Sequence, residues 1–158
     1  MRAVLTRVRS ASVAIDGQTV GQIGRGFLIL LGVGPNDTRQ TCRFLAEKAL
    51  GLRVFADENG KMNLGLEAVG GQVLVVSQFT LYGSCRKGRR PSFTGAAEPQ
   101  LGEALYQAFL SDCAALGFPP QHGQFGADMQ VESINDGPVT LILDTDVLMD
   151  SPRRNGTC

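Results

Sequence analysis

The sequence predicts a single α+β domain in which a mixed or largely antiparallel, barrel-like β-sheet packs against two helices. The first third of the chain is rich in Val, Ile and Leu and is interrupted by turn residues, a pattern typical of successive strands. Two later stretches, 36–51 and 99–116, carry apolar residues at helical spacing. Two more strand-like segments, 127–134 and 138–145, follow the second helical stretch. A chain of 158 residues, 43% of them hydrophobic, suits one domain with a full core.

The N-terminal elements are predicted from turn residues and periodicity. Asp16-Gly17 separates two β-prone stretches and indicates a hairpin. The segment Phe27–Leu31 is apolar on both sides of the pleat, so we expect a central strand that is buried on both faces. Asp37 is the predicted N-cap of the first helix, because Gln40 follows three residues later as in a capping box. Gly51 is the predicted end of that helix.

The second half of the chain predicts the remaining elements and the extent of the domain. Asn59-Gly60 indicates a turn between two short strands, and the apolar run Val73–Val76 predicts a buried strand that ends in polar residues. A second helix is expected from Pro99 to Leu116, because proline suits the first helical turn and a glycine follows the last residue. We expect the domain to span residues 1–146 and residues 147–158 to form a flexible C-terminal tail.

The composition limits the classes of protein to which the chain can belong. Lys+Arg 15 balance Asp+Glu 15, so a polyanionic partner must be held by a local basic patch. No apolar run approaches the roughly 20 residues of a membrane span, and the N-terminus lacks the apolar segment of a secretory signal. The cysteines are scattered, which favours reduced thiols in a cytoplasmic protein over a disulfide framework or a zinc site. The cysteines are Cys42, Cys85, Cys113 and Cys158. We therefore expect no membrane, no metal and no cofactor.

Polar residues at the end of the Val73–Val76 strand are the first candidate site. Ser77, Gln78, Phe79 and Thr80 follow the apolar run, where hydroxyls and backbone N–H groups can face a ligand. A strand end whose Ser and Thr merely satisfy backbone groups has the same pattern. A nucleophilic hydroxyl needs a nearby base, and the single histidine, His122, lies in a loop without a local acidic partner. A Ser-His-Asp triad therefore has weak support.

A basic loop and a Gly-Pro pair are the other candidates. Arg86, Lys87, Arg89 and Arg90 cluster soon after Thr80, and Phe93 beside them offers a stacking face for a base. Arg7 on the first strand is expected to add to the same side. A solvated basic loop is the alternative explanation. Gly137-Pro138 either forms a cis bond that turns the chain sharply or simply begins an edge strand.

Taken together, several segments in order resemble the D-aminoacyl-tRNA deacylase family over residues 1–144. The segments are Arg7–Val13, Gly60–Leu64, Val75–Leu81, Arg89–Phe93, Ala127–Val131 and Asn135–Thr140. The resemblance implies a homodimer in which Ser77, Gln78, Phe79 and Thr80 line the pocket of one subunit. It further implies that Gly137 and Pro138, joined by a cis bond, enter that pocket from the other subunit. Met129 and the basic-loop residues are then expected to contact tRNA.

The activity that the resemblance implies is hydrolysis of the ester of D-aminoacyl-tRNA, and of mischarged glycyl-tRNA, with L-aminoacyl-tRNA rejected by a clash with rigid backbone. Backbone N–H groups near Phe79 and Thr80 are expected to form an oxyanion hole. The terminal 2′-hydroxyl of the tRNA is expected to assist, with Thr80 positioning groups and not attacking. Three alternatives stay open: a non-catalytic tRNA-binding module, a general Ser/Thr esterase, and a structural dimer whose Gly-Pro pair serves only the interface.

Overall fold

A computed structural model of the protein describes residues 1–150, which form one mixed sheet, nearly closed into a barrel, and three helices. The strands are β1 (Arg2–Ile15), β2 (Gln18–Ile23), β3 (Gly26–Gly32), β4 (Phe55–Ala56), β5 (Met62–Leu64), β6 (Gln72–Ser77), β7 (Gln121–His122) and β8 (Gln130–Asp144). The helices are α1 (Arg39–Leu50), α2 (Pro99–Ala115) and α3 (Thr145–Asp150). The predicted α+β class is confirmed, with one short helix more than the sequence indicated.

The main sheet is organised around β1, the long first strand. Its order is β2-β1-β3-β6-β7, and β8 also pairs with β1. Strand β1 runs antiparallel to β2, β3 and β8, whereas β3, β6 and β7 run parallel to one another. The predicted hairpin is confirmed at Asp16 and Gly17, which both have positive φ. The predicted central strand is confirmed as β3, which lies between β1 and β6.

Apolar residues on the two faces of the sheet form two separate clusters. The larger cluster packs strand residues such as Leu5, Phe27 and Val75 against the buried faces of α1 and α2. The smaller cluster, on the other face, contains Val8, Ala11, Val13, Ile23, Leu28, Leu74 and Val76. Strands β3 and β6 therefore contribute side chains to both clusters, which explains why their sequences are apolar without alternation.

The start of α1 differs from the prediction. Thr38, not Asp37, is the N-cap, because the Thr38 hydroxyl accepts the Thr41 N–H and the Thr41 hydroxyl accepts the Thr38 N–H at 2.9 Å. The Asp37 carboxylate is used elsewhere: it accepts the Gly34 N–H at 2.6 Å and pairs with the N-terminal ammonium of Met1. The predicted end of α1 at Gly51 and the start of α2 at Pro99 are confirmed.

The C-terminal part of the domain also differs from the prediction. The two predicted final strands are one strand, β8, with an irregular segment in its middle. Thr140 pairs with Thr6, and Asn135 pairs with Val8. Between these two pairs β8 advances by five residues while β1 advances by only two. Residues 147–150, expected to be flexible, belong to α3. The rest of the predicted tail, residues 151–158, lies outside the described residues. Within residues 1–150 no helix is both long enough and apolar enough to cross a membrane.

Candidate active site

The predicted site residues lie where β6 leaves the sheet. Strand β6 ends at Ser77, and the Gln78 N–H still donates to the Leu31 carbonyl of β3 at 2.7 Å. Phe79–Tyr82 then form one turn of 3-10 helix, which we call the 79–82 turn. The first N–H groups of a helical turn have no acceptor within it. Phe79 and Thr80 thus stand at the end of the turn that offers backbone donors to a ligand.

The side chains of this segment are exposed and linked to one another. The Gln78 amide nitrogen donates to the Thr80 hydroxyl. The Phe79 ring is 57% exposed and packs edge-to-face against Phe93, with 5.3 Å between ring centroids. The basic loop therefore contacts the 79–82 turn through an aromatic pair.

Two cavities lie on either side of Phe79. The smaller, of about 250 Å³, is lined by Gln78 and by residues 126–129, including Met129. The larger, of about 550 Å³, is mostly apolar and is lined by Phe93, Pro99 and Phe125. Both cavities share Ser77, Phe79 and Gly126. The two cavities therefore adjoin each other at these three residues.

Sequence reasoning missed the contribution of the segment before β8. Phe125 and Gly126 line the larger cavity, although residues 118–127 read only as a Gly/Pro-rich loop. The available signal was their position directly before the Ala127–Val131 segment, which had carried part of the resemblance. His122 lies close in sequence but lines a different cavity with Glu103, and its Nδ1 is 2.7 Å from the Gly123 carbonyl oxygen. Histidine therefore lines neither cavity at Ser77.

The Gly137-Pro138 pair lies in the irregular middle of β8, and hydrogen bonds hold its flanks. The Arg7 guanidinium donates through Nε to the Asp136 carbonyl at 2.8 Å and through Nη1 to the Val54 carbonyl. The Asn135 side chain accepts the Val139 N–H at 2.9 Å. The Gly137-Pro138 bond is cis.

The packing at Gly137 leaves no room for a side chain. Gly137 has a φ of 133°, and a Cβ there would lie 2.7 Å from an Arg7 nitrogen. Gly137 and Pro138 are themselves exposed, and they line neither of the two cavities of their own protomer. The structure of one chain therefore does not bring the Gly-Pro pair to the 79–82 turn.

The predicted tRNA contacts divide into two groups. The side chains of Arg86, Lys87, Arg89 and Arg90 are exposed, and within residues 1–150 none of them forms an ion pair. Their loop is closed by two backbone hydrogen bonds between Ser84 and Ser92. The Arg7 side chain is only 13% exposed and is committed to the Gly137 segment, so it does not join this cluster.

Two carboxylates line the cavities, Asp128 in the smaller and Glu98 in the larger, and other titratable groups lie in the packed interior. Burial raises the pKa of the Tyr82 hydroxyl, and the neighbouring Asp37 carboxylate adds to the shift. Burial also raises the pKa of the Cys42 and Cys113 thiols to about 12. Among residues 1–150, no cluster of three or more His, Cys, Asp or Glu side chains is arranged to hold a metal ion. Hydroxyls, an amide and backbone N–H groups are thus the polar chemistry at Ser77–Thr80.

The chain is similar to known proteins over most of its length. Residues 4–144 match the profile of a family described as D-Tyr-tRNA(Tyr) deacylase. A D-aminoacyl-tRNA deacylase of Desulfatibacillum aliphaticivorans is 57% identical over 145 residues, which cover 92% of this chain and 99% of that protein. A D-aminoacyl-tRNA deacylase of Lacticaseibacillus casei is 59% identical over 146 residues, with the same coverage. The solved structure of a c-Myc DNA unwinding element binding protein superposes with a TM-score of 0.86 at 40% identity, covering 91% of this chain and 98% of that chain.

Proposed function

Because the chain belongs to the D-Tyr-tRNA(Tyr) deacylase family, we propose that its active site is composite, with the Gly137-Pro138 segment of one subunit entering the cavities beside Phe79 of another. The protein is a D-aminoacyl-tRNA deacylase, a hydrolase that acts on ester bonds. The observation that carries the cross-subunit proposal is the placement of this segment. Hydrogen bonds from Arg7 and to Asn135 hold its flanks, whereas Gly137 and Pro138 are exposed. Neither of these two residues lines a cavity of its own protomer.

The proposed partner for this exposed segment is a second copy of the chain. Strand β8 presents Ile134, 58% exposed, and Ile142, 78% exposed, on either side of Gly137-Pro138. Contiguous exposed apolar patches mark interaction surfaces, and we propose that these two side chains belong to such a patch. An isologous two-fold contact through this strand would carry each Gly-Pro pair towards the partner in a symmetric way.

Selection between D- and L-esters is proposed to depend on backbone geometry. The two enantiomers carry the same groups, so contacts that merely fit the side chain separate them poorly. Carbonyl oxygens of Gly137 and Pro138 can accept hydrogen bonds from the α-ammonium of a D-residue and lie where an L side chain would project. Glycine has no side chain to collide, so glycyl-tRNA is a proposed second substrate.

Hydrolysis is proposed to proceed through a tetrahedral intermediate stabilised by backbone donors. The N–H groups of Phe79 and Thr80, at the start of the 79–82 turn, would face the oxyanion. The terminal 2′-hydroxyl of tRNA, adjacent to the ester, would assist. Thr80 is assigned a positioning role, because among residues 1–150 its hydroxyl is hydrogen-bonded to the Gln78 amide and not to a carboxylate or histidine that could act as a base.

We propose that the basic loop binds the acceptor end of the tRNA. Arg86, Lys87, Arg89 and Arg90 would contact phosphates, Phe93 would stack on a base, and Met129 would line the nucleoside space. A neutral chain that binds through one loop needs few phosphate contacts. The reaction is proposed to occur in the cytoplasm, since Cys42, Cys85 and Cys113 are free thiols.

Subunit complementation tests the composite site. Phe79→Ala damages the cavities, and Gly137→Ala damages the segment that would enter them. A mixed dimer of the two variants contains one intact composite site, so co-refolding equal amounts should restore about a quarter of wild-type D-tyrosyl-tRNA hydrolysis if the subunits mix randomly. Co-refolding of each variant with wild-type protein is the control that shows whether subunits mix randomly. Activity no greater than that of the separate variants, with mixed dimers present, would mean that both elements act within one chain.

A second experiment separates the proposed mechanism from a general Ser/Thr esterase. A conventional nucleophile is essential, so Ser77→Ala or Thr80→Val would abolish activity in such an esterase. The proposed mechanism predicts that Thr80→Val lowers the rate by about tenfold, because it removes the bond to Gln78 but not the backbone donors. Complete loss with an intact fold, or rapid hydrolysis of free amino-acid esters, would favour the esterase.

A further inference from the structure

We propose that Tyr82 is a positioning residue for the 79–82 turn, with its ring packed against the glycine backbone at Gly34 and beneath the guanidinium of Arg2. This inference rests on the proposed role of the turn in holding the reacting ester. It assigns a purpose to Gly32–Gly34, a segment that in the sequence suggests no more than a turn.

The Tyr82 ring occupies space that side chains at Gly32 and Gly34 would need. A Cβ built at Gly34 would lie 2.8 Å from the Tyr82 Cζ and hydroxyl oxygen, closer than real Cβ contacts allow. A Cβ at Gly32 would lie 3.3 Å from the ring and 3.1 Å from Leu81 Cβ. Neither glycine has a positive φ. The requirement for glycine at position 34 therefore comes from the Tyr82 ring and not from the backbone conformation.

The guanidinium of Arg2 lies over the Tyr82 ring. The Arg2 Cζ lies 4.5 Å from the ring centroid, within the range of cation–π contact. The same guanidinium donates to the Leu81 carbonyl at 3.2 Å and to the Asp144 carboxylate at 2.8 Å. Arg2 thus joins the start of β1, the end of β8 and the last two residues of the 79–82 turn.

The edge of the ring is held through Asp37. The Tyr82 hydroxyl donates to Asp37 Oδ2 at 3.4 Å, and the same oxygen accepts the Gly34 N–H. The other oxygen of this carboxylate is paired with the N-terminal ammonium. Asp37, which the sequence suggested as a helix cap, instead links the Tyr82 hydroxyl to the Gly34 N–H and to the N-terminal ammonium.

These contacts fix the C-terminal half of a four-residue turn whose N-terminal half carries Phe79 and Thr80. A shift of the Tyr82 ring is therefore transmitted over about one helical turn to the backbone N–H groups proposed to face the oxyanion. A misplacement of about 1 Å in a catalytic group can reduce a rate by roughly a hundredfold. We accordingly expect the ring contacts to affect kcat more than KM.

A double-mutant cycle tests the assignment. Gly34→Ala places a methyl group against the ring, and Tyr82→Ala removes the ring. Each single variant should lower kcat for D-tyrosyl-tRNA by about tenfold with a smaller change in KM. The double variant should be no slower than Tyr82→Ala alone, because the added methyl group then has nothing to strike. Gly65→Ala is the matched control, since a Cβ there approaches no atom closer than 3.7 Å.

Each outcome has a distinct meaning, provided that thermal melting shows folded protein. Unchanged kcat in Gly34→Ala, or a further tenfold loss when it is added to Tyr82→Ala, would overturn the positioning role. If Gly34→Ala does not fold, Arg2→Met provides the same test, with an expected loss of about threefold in kcat that Arg2→Lys partly restores. Phe79→Ala separates failure of this inference from failure of the proposed function. If Phe79→Ala leaves the rate unchanged, the turn is not the active site and the proposed function fails as well; if Phe79→Ala lowers the rate while Gly34→Ala does not, only the role of Tyr82 fails.

Discussion

Arg7→Met is expected to loosen the Gly137-Pro138 segment and so reduce discrimination between D- and L-esters. Methionine keeps the apolar stem of the side chain but removes the guanidinium, which donates to the carbonyls of Asp136 and Val54. Hydrogen bonds from charged donors contribute about 1.5–3 kcal/mol each. The Arg7 side chain is largely buried, so water replaces these bonds only in part.

At the lower end of that range, which partial replacement by water favours, the loss of two such bonds costs about 3 kcal/mol of local stabilisation. This corresponds to roughly a hundredfold change in the equilibrium between the held and the released segment. We therefore expect the ratio of kcat/KM for D-tyrosyl-tRNA over L-tyrosyl-tRNA to fall by up to about a hundredfold. The ratio is measured from deacylation time courses on both esters, with thermal melting to confirm that the variant is folded.

Arg9→Met is the matched control for this prediction. Arg9 is 74% exposed and forms a single ion pair with the side chain of the same residue, Asp136, at 3.3 Å. An exposed pair contributes about 0–1 kcal/mol, so the ratio should change by less than about fivefold. A folded Arg7→Met enzyme that keeps the wild-type ratio would refute the role assigned to the held segment.

Four further predictions concern binding, assembly, thiol reactivity and pH. Lys87→Gln should weaken tRNA binding and lower the slope of log K against log salt concentration by about one, and an unchanged slope would remove the loop from the interface. Ile142→Asp should give a monomer in sedimentation experiments, with loss of D-ester hydrolysis, whereas a fully active monomer would contradict the composite site. In the folded protein Cys85 should react with a thiol reagent far faster than Cys42 and Cys113, as located by peptide mapping. Because the pKa of both buried thiols is raised to about 12, their contribution to folding stability is complete below about pH 8.5 and is lost as the pH rises towards 12; a flat alkaline stability profile would contradict this.

Local patterns in the sequence were sufficient for most of the fold. The positive-φ pair at Asp16-Gly17, the uninterrupted apolar run of β3 and the proline at the start of α2 each act within a few residues. Such features are set by turn chemistry and by burial on one or both faces of an element. These local features therefore predict the corresponding elements without any information on tertiary contacts.

The features that sequence analysis did not foresee depend on distant partners. Asp37 is drawn away from the helix start by the N-terminal ammonium, a group 36 residues away in sequence. The irregular middle of β8 is bonded to Arg7, 129 residues away, and this long-range support let one strand replace the two expected. Phe125 joins the site because β7 pairs in parallel with β6, a crossover that no local pattern indicates.

In the candidate site, too, the sequence indicates local features but not the contacts made by distant residues. The segment Ser77–Thr80 is a prediction from the sequence, whereas its helical conformation was not predicted, since the turn depends on Tyr82 packing against glycine backbone at Gly34. Arg7 was expected near the basic loop because both are cationic, whereas its burial reflects a role in holding the Gly-Pro segment. Residue type alone did not distinguish an arginine that contacts phosphate from one that donates to carbonyl groups.

Chiral discrimination is the central claim, and one time course tests it most directly. Wild-type enzyme is incubated with matched D-tyrosyl-, L-tyrosyl- and glycyl-tRNA beside enzyme-free controls. The account predicts rapid loss of the D-tyrosyl and glycyl esters, with the L-tyrosyl ester decaying at the enzyme-free rate. Equal loss of the D- and L-tyrosyl esters would contradict selection by the Gly137-Pro138 backbone.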